Sequence, residues 1–283
     1  MKQASIHNRF LTLTAMLALA MMFSAPLKAQ EQEPEEGSDE AMAGELLDAI
    51  HEFRLKNFIA LNDYYNYSMD PDEAYVRDIE SAMDYSREQL GRIADLAGES
   101  LSGSEIEDLE QAYADFEQQM DINIEDVREA GYPDLRLLSD MANQAQNLSV
   151  LSEEIYEAVA EQEVTPTVSD VELARRASVT MALMVTRYSA RSSSSVAQVF
   201  QGADSDASLD DLARDFEDTM EELRSRTTDA ELDELLSDVN TKWEFIRNSY
   251  INYDERNVSF VINRYSTSII DNMELVIERL KAA

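Results

Sequence analysis

The chain has 283 residues, with 58 acidic residues, 23 Lys and Arg residues and a formal net charge of -35. A chain this negative is unsuited to the phosphate backbone of nucleic acid, which excludes nucleic-acid-binding proteins as a class. It contains no Cys, only 7 Gly and only 5 Pro, so it lacks disulfides and has few residues that interrupt helices. We therefore predict an all-α protein.

The first 29 residues have the pattern of a secretory signal peptide. Lys2 and Arg9 precede an apolar run over residues 11–23, and the small residue Ala29 comes directly before Gln30. The run is shorter than the ~20 apolar residues that a transmembrane helix needs. We expect cleavage after Ala29, which gives a periplasmic or secreted protein, and an uncleaved membrane anchor is the alternative.

Residues 30–40 are almost entirely polar or charged, and we interpret them as a disordered acidic leader. Start and stop signals for helices then recur along the rest of the chain. They predict eight long helices at about 41–69, 71–98, 104–131, 133–163, 169–201, 208–226, 229–252 and 256–282. The boundary near residues 252–257 is the weakest, and one continuous helix there would reduce the count to seven.

Several of these helix starts are predicted from capping residues. Asp70 precedes Pro71, an arrangement typical of an N-cap followed by proline in the first turn. Capping boxes are predicted to begin at Ser104, Ser169 and Thr228, each with a Glu three residues later. In such a box the two side chains each accept a backbone N–H of the first turn.

The predicted helices fall into two groups of four on either side of Pro166. We predict two four-helix-bundle-like halves, over residues 41–163 and 167–283. A shift of 133 residues aligns the apolar positions of the second helix with those of the sixth. Amphipathic helices align with one another by default, so a duplication and two unrelated bundles both remain open.

The mature chain lacks most of the residues that catalysis and metal binding use. His51 is its only histidine, whereas zinc sites, di-iron sites and Ser-His-Asp centres require several His or Cys ligands or a dedicated base. We interpret His51 as a polar helix position and predict no metal site, no cofactor and no catalytic residue. The protein is predicted not to be an enzyme, and a carboxylate-based enzyme is the remaining enzymatic alternative.

Two weak metal motifs have simpler interpretations. Acidic residues within 204–215 have the spacing of a calcium loop, but Leu209 occupies the position where the loop needs Gly. Ser208 as the N-cap of the next helix explains the same residues. Met181 and Met184 have thioethers that suit Cu(I), although a Met pair at helical spacing is typical of a core.

The fifth predicted helix is an electrostatic anomaly, because the 31 residues between Glu172 and Asp204 include no acid. On a helical wheel, five donor side chains lie within about 60° of one another, beside the predicted buried face: Arg176, Thr180, Arg187, Arg191 and Ser194. Leu183 interrupts this stripe. Arg175 is predicted to lie on the opposite, exposed face.

Two interpretations of the stripe remain open. Neighbouring helices can supply carboxylates, in which case the arginines form structural ion pairs. Alternatively, the stripe lines a cleft between helices and binds a small anion, for which the guanidinium group is well suited. The second interpretation makes these five residues the candidate ligand-binding site.

The segment RRASVTMALMVTRY, residues 175–188, is followed by further helices. It resembles the extracytoplasmic helical sensor domain of type IV pili methyl-accepting chemotaxis transducers, over about residues 169–282. Nitrate and nitrite sensor kinases carry related bundles. The resemblance implies a sensor module separated from its transducer, which would act as a periplasmic binding or accessory protein.

Taken together, these features predict a non-enzymatic, all-helical periplasmic protein without a cofactor. Its expected partner is a small anion or a protein of an envelope or pilus signalling system. We expect no nucleic-acid partner and no membrane insertion after signal cleavage. The alternative is a structural or scaffolding bundle of the cell envelope that has no small-molecule ligand.

Overall fold

A computed structural model describes residues 36–98, 100–162, 168–193, 207–252 and 258–282. These residues form eight α-helices and no β-strand, which confirms the all-α prediction. The helices are α1 (Glu36–Met69), α2 (Glu73–Leu96), α3 (Gly103–Ala130), α4 (Leu135–Ala160), α5 (Asp170–Ser193), α6 (Leu209–Arg226), α7 (Ala230–Ile251) and α8 (Ser259–Lys281). None of these helices is both long enough and apolar enough to cross a membrane. The chain from Asp39 onward forms one compact unit.

Each of the eight helices corresponds to one of the predicted helices, and the residues at which they begin or end differ. Helix α1 begins at Glu36, inside the predicted leader, and ends at Met69, because the residue before Pro71 disfavours the helical conformation. The predicted last turns of the fifth helix, beyond Ser193, lie outside the described residues. The same holds for residues 253–257, where a continuous helix was the alternative.

Two of the predicted N-caps are wrong by two residues. Asp72 rather than Asp70 caps α2, and its Oδ1 accepts the backbone N–H of Ala74 at 2.8 Å. Ser102 rather than Ser104 caps α3 in a complete capping box. In both places the sequence has two residues of the same type two positions apart. The second Asp caps α2, and the first Ser caps α3.

The remaining predicted helix starts give a mixed result. Asp229, not Thr228, caps α7, because its carboxylate accepts two backbone N–H groups of the first turn. At the start of α5 the Ser169 hydroxyl accepts the backbone N–H of Glu172 at 3.1 Å, as predicted. Ser208 caps α6, which agrees with the capping interpretation of the predicted calcium loop.

The core consists of two clusters of buried apolar side chains. The first is built mainly by α1, α2, α3 and α4, and the second mainly by α5, α6, α7 and α8. Met181 and Met184 are fully buried in the second cluster, which supports their interpretation as core residues. Leu55 of α1 also packs into the second cluster, so α1 contributes to both.

Helix α1 has an apolar face and an opposite face that is polar although it is largely buried. Leu46, Ile50 and Phe53 are fully buried in the first cluster. The opposite face packs against α5 and α8 through side-chain hydrogen bonds. We call this contact the polar seam, and its α1 members are Asp48, His51, Glu52 and Asn62.

Hydrogen bonds connect α1 to both neighbours along the polar seam. The Ser189 hydroxyl of α5 donates to Asn62 Oδ1 at 2.8 Å, and Asn62 Nδ2 donates to Asn263 Oδ1 of α8 at 2.8 Å. One turn earlier, the Thr186 hydroxyl donates to the backbone carbonyl of Phe58 at 3.0 Å. These bonds satisfy polar groups that would be costly to bury without partners.

Helix α5 is enclosed by other helices on most of its circumference, which explains why it has no acidic residue after its first turn. Arg175 is only 7% exposed, so the prediction that it lies on an exposed face is wrong. The reason is that α1 packs over this side of α5 and provides Asp48 as a partner for Arg175. Arg176, its neighbour in sequence, is exposed.

Candidate functional site

A cleft of about 430 Å³ lies between the two clusters, where α1, α4, α5 and α6 meet. Its polar lining includes His51, Arg54, Tyr156, Arg175, Arg176 and Thr180. The cleft therefore presents three guanidinium groups. Four carboxylates also line it, which keeps its net charge close to neutral.

Arg54 is held by residues of α4. Its guanidinium lies 5.4 Å from the centroid of the Tyr156 ring and 3.4 Å from a carboxylate oxygen of Glu153. The first contact is a cation–π interaction. Arg54 Nε is buried and has no hydrogen-bond partner among the described residues. Arg54 is thus positioned at the wall of the cleft with one donor unused.

Arg175 is the centre of a buried ionic group. It donates to the Asp48 carboxylate, and its guanidinium lies 3.8 Å from a carboxylate oxygen of Glu172. Burial alone would lower the pKa of Arg175, but Tyr156 and Asp48 raise it above its usual value. Burial and the Glu172 charge in turn raise the pKa of Tyr156. Arg175 therefore stays protonated as a structural cation.

Arg176 differs from the other two arginines in the cleft. Its side chain is exposed and forms no ion pair with any residue that the structure describes. Thr180, one turn further along α5, lines the same cleft and is mostly buried. Of the carboxylates in the cleft, Glu157 and Asp215 likewise form no ion pair within the described part of the chain.

The other three candidate residues lie elsewhere. Arg187 donates to the backbone carbonyl of Ala207 at 2.5 Å, near the start of α6. Arg191 is half-buried in the last turn of α5. Ser194 lies outside the described residues. The cleft thus brings together Arg176 and Thr180, and it does not include Arg187 or Arg191.

A second group of polar side chains adjoins the cleft within the polar seam. His51, Glu52 and Glu274 each offer one atom that could bind a metal, a ring nitrogen or a carboxylate oxygen. These three atoms all lie within 4.8 Å of one another. His51 Nε2 is 3.3 Å from Glu274 Oε1, and the Ser178 hydroxyl donates to the same oxygen at 2.8 Å. His51 is 2% exposed, yet it also lines the cleft.

The two carboxyl groups of this cluster have very different proton affinities. Burial, together with the nearby Glu274 charge and a hydrogen bond to Glu274, raises the pKa of Glu52 to about 7. For Glu274 burial alone would raise the pKa, but His51 and hydrogen bonds from Glu52 and Ser178 lower it below its usual value. At neutral pH Glu274 is therefore ionised, and Glu52 is close to its midpoint of titration.

Comparisons with known proteins do not identify the chain. No protein family model, curated protein or solved structure matches it. The geometry and the charges of the cleft are therefore the basis for assigning a function.

The groove between α6 and α7 is larger, about 860 Å³, but its chemistry is different. Five carboxylates and only two arginines line it. Of these two, Arg247 already pairs with Glu217, which also accepts a hydrogen bond from Trp243 at 3.1 Å. This groove has three more carboxylates than arginines, whereas the cleft between the two clusters has one more. The cleft therefore repels an anionic ligand less and is the better candidate.

The prediction from sequence did not include Arg54, His51, Glu52 or Glu274 as site residues. The signal that indicates the α1 residues is a row of polar side chains at helical spacing on an otherwise apolar helix. His51, as the only histidine after residue 7, is part of that row. No comparable signal indicates Glu274, which is one of 58 acidic residues.

Proposed function

We propose that the protein is a non-enzymatic binding protein that takes up a small organic anion in the cleft between α1, α4, α5 and α6. The observation that carries this proposal is the exposed guanidinium of Arg176, which faces no carboxylate partner at the wall of a concave site. A guanidinium binds a carboxylate through two parallel hydrogen bonds, and this geometry favours planar organic anions.

The size of the cleft suits a small molecule. Ligand pockets commonly have volumes of about 300–1,000 Å³, and the cleft lies at the lower end of this range at about 430 Å³. Val179, Leu183 and Leu212 add apolar surface to the polar lining. We therefore infer an organic ligand of modest size, because a bare inorganic ion would leave most of the cleft unfilled.

The unpaired carboxylates of the cleft narrow the ligand class. Glu157 and Asp215 have no cationic partner among the described residues, so a purely anionic ligand would leave both of them without compensation. A ligand that has a carboxylate and an ammonium group would pair with Arg176 and with these carboxylates. An amino acid has this combination and fits the proposal best.

The cellular role is part of the same proposal. The predicted signal peptide and the resemblance of residues 169–282 to extracytoplasmic sensor domains favour a periplasmic protein. In that compartment the cleft would take up its ligand and report it to a partner of an envelope or pilus signalling system. The acidic surface, with a net charge of -35 over the whole chain, favours a partner with a basic docking surface.

Thermal unfolding in the presence of matched ligands tests the proposal. Each matched pair of probes consists of an amino acid and the carboxylic acid that lacks its amino group. Nitrate and sulfate serve as inorganic anions for comparison. A ligand at 100 times its Kd stabilises the folded state by about 2.7 kcal/mol. We expect the amino acid to raise the melting temperature most, and Arg176→Gln to abolish the shift.

Arg264→Gln is the matched control, because Arg264 is an exposed arginine of α8 that does not line the cleft. This variant should respond to the ligands as the parent protein does. Asp215→Asn should reduce the preference for the amino acid over the plain acid. If no organic anion shifts the melting temperature of the parent protein, the proposal is wrong.

A scaffolding role is the second candidate function, and the ion pairs of the polar seam favour it. Arg175 and Lys281 both pair with Asp48, so these cations are used for structure and not for a ligand. A scaffold would leave the thermal unfolding insensitive to every small anion. It would instead bind a protein partner through its exposed helix surfaces.

A further inference from the structure

We propose that His51, Glu52 and Glu274 form a binding site for one divalent transition-metal ion, for which Zn²⁺ is the matched probe. The proposal rests on the arrangement of donor atoms in the polar seam and does not depend on the proposed anion site. His51 and Glu52 come from α1, and Glu274 comes from α8.

The spacing of the donor atoms fits a metal centre. In a tetrahedral zinc site with bonds of about 2.0–2.1 Å, two ligand atoms lie about 3.3 Å apart. His51 Nε2 and Glu274 Oε1 are 3.3 Å apart, which is the edge length of such a tetrahedron. The Glu52 donor atom lies within 4.8 Å of both. Glu52 is therefore close enough to act as the third ligand.

The surroundings supply a hydrogen bond to the cluster. The Ser178 hydroxyl of α5 lies 2.8 Å from Glu274 Oε1, and it can hydrogen-bond to a metal-bound carboxylate or to a water ligand. Outer-shell hydrogen bonds of this kind orient ligating carboxylates. Helices α1 and α8 therefore hold the ligands, and α5 holds the hydrogen bond from Ser178. Regular helices hold ligand geometry better than loops do.

The types of ligand determine which ions suit the site. One imidazole with two carboxylates is a mixed nitrogen and oxygen set, which suits Zn²⁺, Mn²⁺ or Fe²⁺. Ca²⁺ and Mg²⁺ prefer oxygen ligands alone. The burial of His51 separates this cluster from the acidic groups on the surface, and the cleft that His51 lines provides a path for a metal ion.

The test is calorimetric titration of the full chain with ZnCl₂ after treatment with a chelator and its removal. We expect one Zn²⁺ ion per chain at this site. Replacing a ligand, as in His51→Gln or Glu274→Gln, should weaken binding by more than about tenfold, since even outer-shell partners contribute 10–100-fold. Glu278→Gln is the matched control, because Glu278 is an exposed carboxylate of α8 one turn after Glu274 and lies outside the cluster. This variant should bind Zn²⁺ as the parent does.

Glu52→Gln keeps the test decisive if another variant fails to fold. It removes one of two neighbouring carboxylates, so the metal-free protein should keep its helical circular dichroism and its melting temperature. Its Zn²⁺ affinity should still fall by more than about tenfold. Arg176→Gln should leave Zn²⁺ binding unchanged, which separates this proposal from that of the anion site.

Three results would overturn the metal-site proposal. The first is a parent protein that binds no Zn²⁺ in the titration. The second is equal Zn²⁺ affinity of His51→Gln and the parent protein, because binding would then come from surface carboxylates. The third is equal affinity for Zn²⁺, Ca²⁺ and Mg²⁺, which would indicate an acidic surface without a defined imidazole ligand.

Discussion

The Arg175 guanidinium donates to the Asp48 carboxylate and thereby joins α5 to α1 across the boundary between the two clusters. Its side chain is almost fully buried. We expect Arg175→Gln to lower the free energy of unfolding by about 2–4 kcal/mol, somewhat less than the ~3–5 kcal/mol of a fully broken buried pair. The loss is limited because Lys281 still pairs with Asp48 at 2.5 Å. Urea-induced unfolding measures it.

The neighbouring residue provides the matched control. Arg176 is exposed and forms no ion pair with a described residue, so Arg176→Gln should change the free energy of unfolding by no more than about 0.5 kcal/mol. Equal effects of the two substitutions would contradict the assignment of Arg175 to a buried ionic group.

Asp63 makes the stability of the protein depend on pH. Burial and the charge of Asp78 raise the pKa of Asp63 to about 7, whereas an Asp in an unfolded chain titrates near 3.9. Between these values the folded state binds more protons than the unfolded state does. The contribution of Asp63 is therefore fully present below about pH 4 and is lost as the pH rises through 7.

Asp63→Asn tests this pH dependence. The variant should gain stability relative to the parent protein as the pH rises from 4 to 8, by about 2–4 kcal/mol in total. Unfolding curves at several pH values measure the difference in the free energy of unfolding between the variant and the parent protein. Contributions from the other titrating groups cancel in this difference. Asp78 lies on the exposed side of α2, and its charge helps to raise the pKa of Asp63. Asp78→Asn should therefore move the pH-dependent loss of stability to lower pH. A difference that does not vary with pH would refute the raised pKa of Asp63.

The start of α3 offers a test of which serine is the cap. Ser102 accepts the backbone N–H of Glu105 at 3.3 Å, and the Glu105 carboxylate accepts the N–H of Ser102 at 2.7 Å. We expect Ser102→Ala to cost about 1 kcal/mol of stability. Ser104→Ala should cost clearly less, since Ser104 lies inside the helix. The reverse order in thermal unfolding would mean that the helix starts two residues later.

Added salt should stabilise the protein. Its formal net charge is -35, and mutual repulsion between exposed carboxylates opposes the compact state. Raising the ionic strength from 0.1 M to 1 M shortens the Debye length from about 10 Å to about 3 Å. We expect the melting temperature to rise with NaCl over this range. A constant or falling melting temperature would show that exposed ion pairs outweigh the net repulsion.

The helices could be predicted because their signals are local. Pro71 and Gly131 end helices through their own backbone preferences, which do not depend on tertiary contacts. Gly131 adopts a left-handed conformation with φ of 79° at the end of α3. The exact N-caps were less predictable. Both Ser102 and Ser104 have a Glu three residues later, so the spacing does not select between them.

The candidate site was less predictable, because it depends on which helices become neighbours. The acid-free segment after Glu172 indicated α5 as unusual, and Arg176 and Thr180 of that helix line the cleft. The partner of His51, however, is Glu274, 223 residues away. Periodicity within one helix cannot reveal that contact. It also could not reveal that α1 covers Arg175, which appeared exposed on a helical wheel.

Helix α1 supplies side chains to both buried clusters, so neither cluster can lose its structure without exposing apolar surface of the other. Two independent four-helix bundles would melt in separate steps. Here Leu55 packs into the second cluster while Phe53, two residues earlier, packs into the first. The unfolding of the two halves is therefore coupled, and calorimetry should record one cooperative transition whose van't Hoff and calorimetric enthalpies agree.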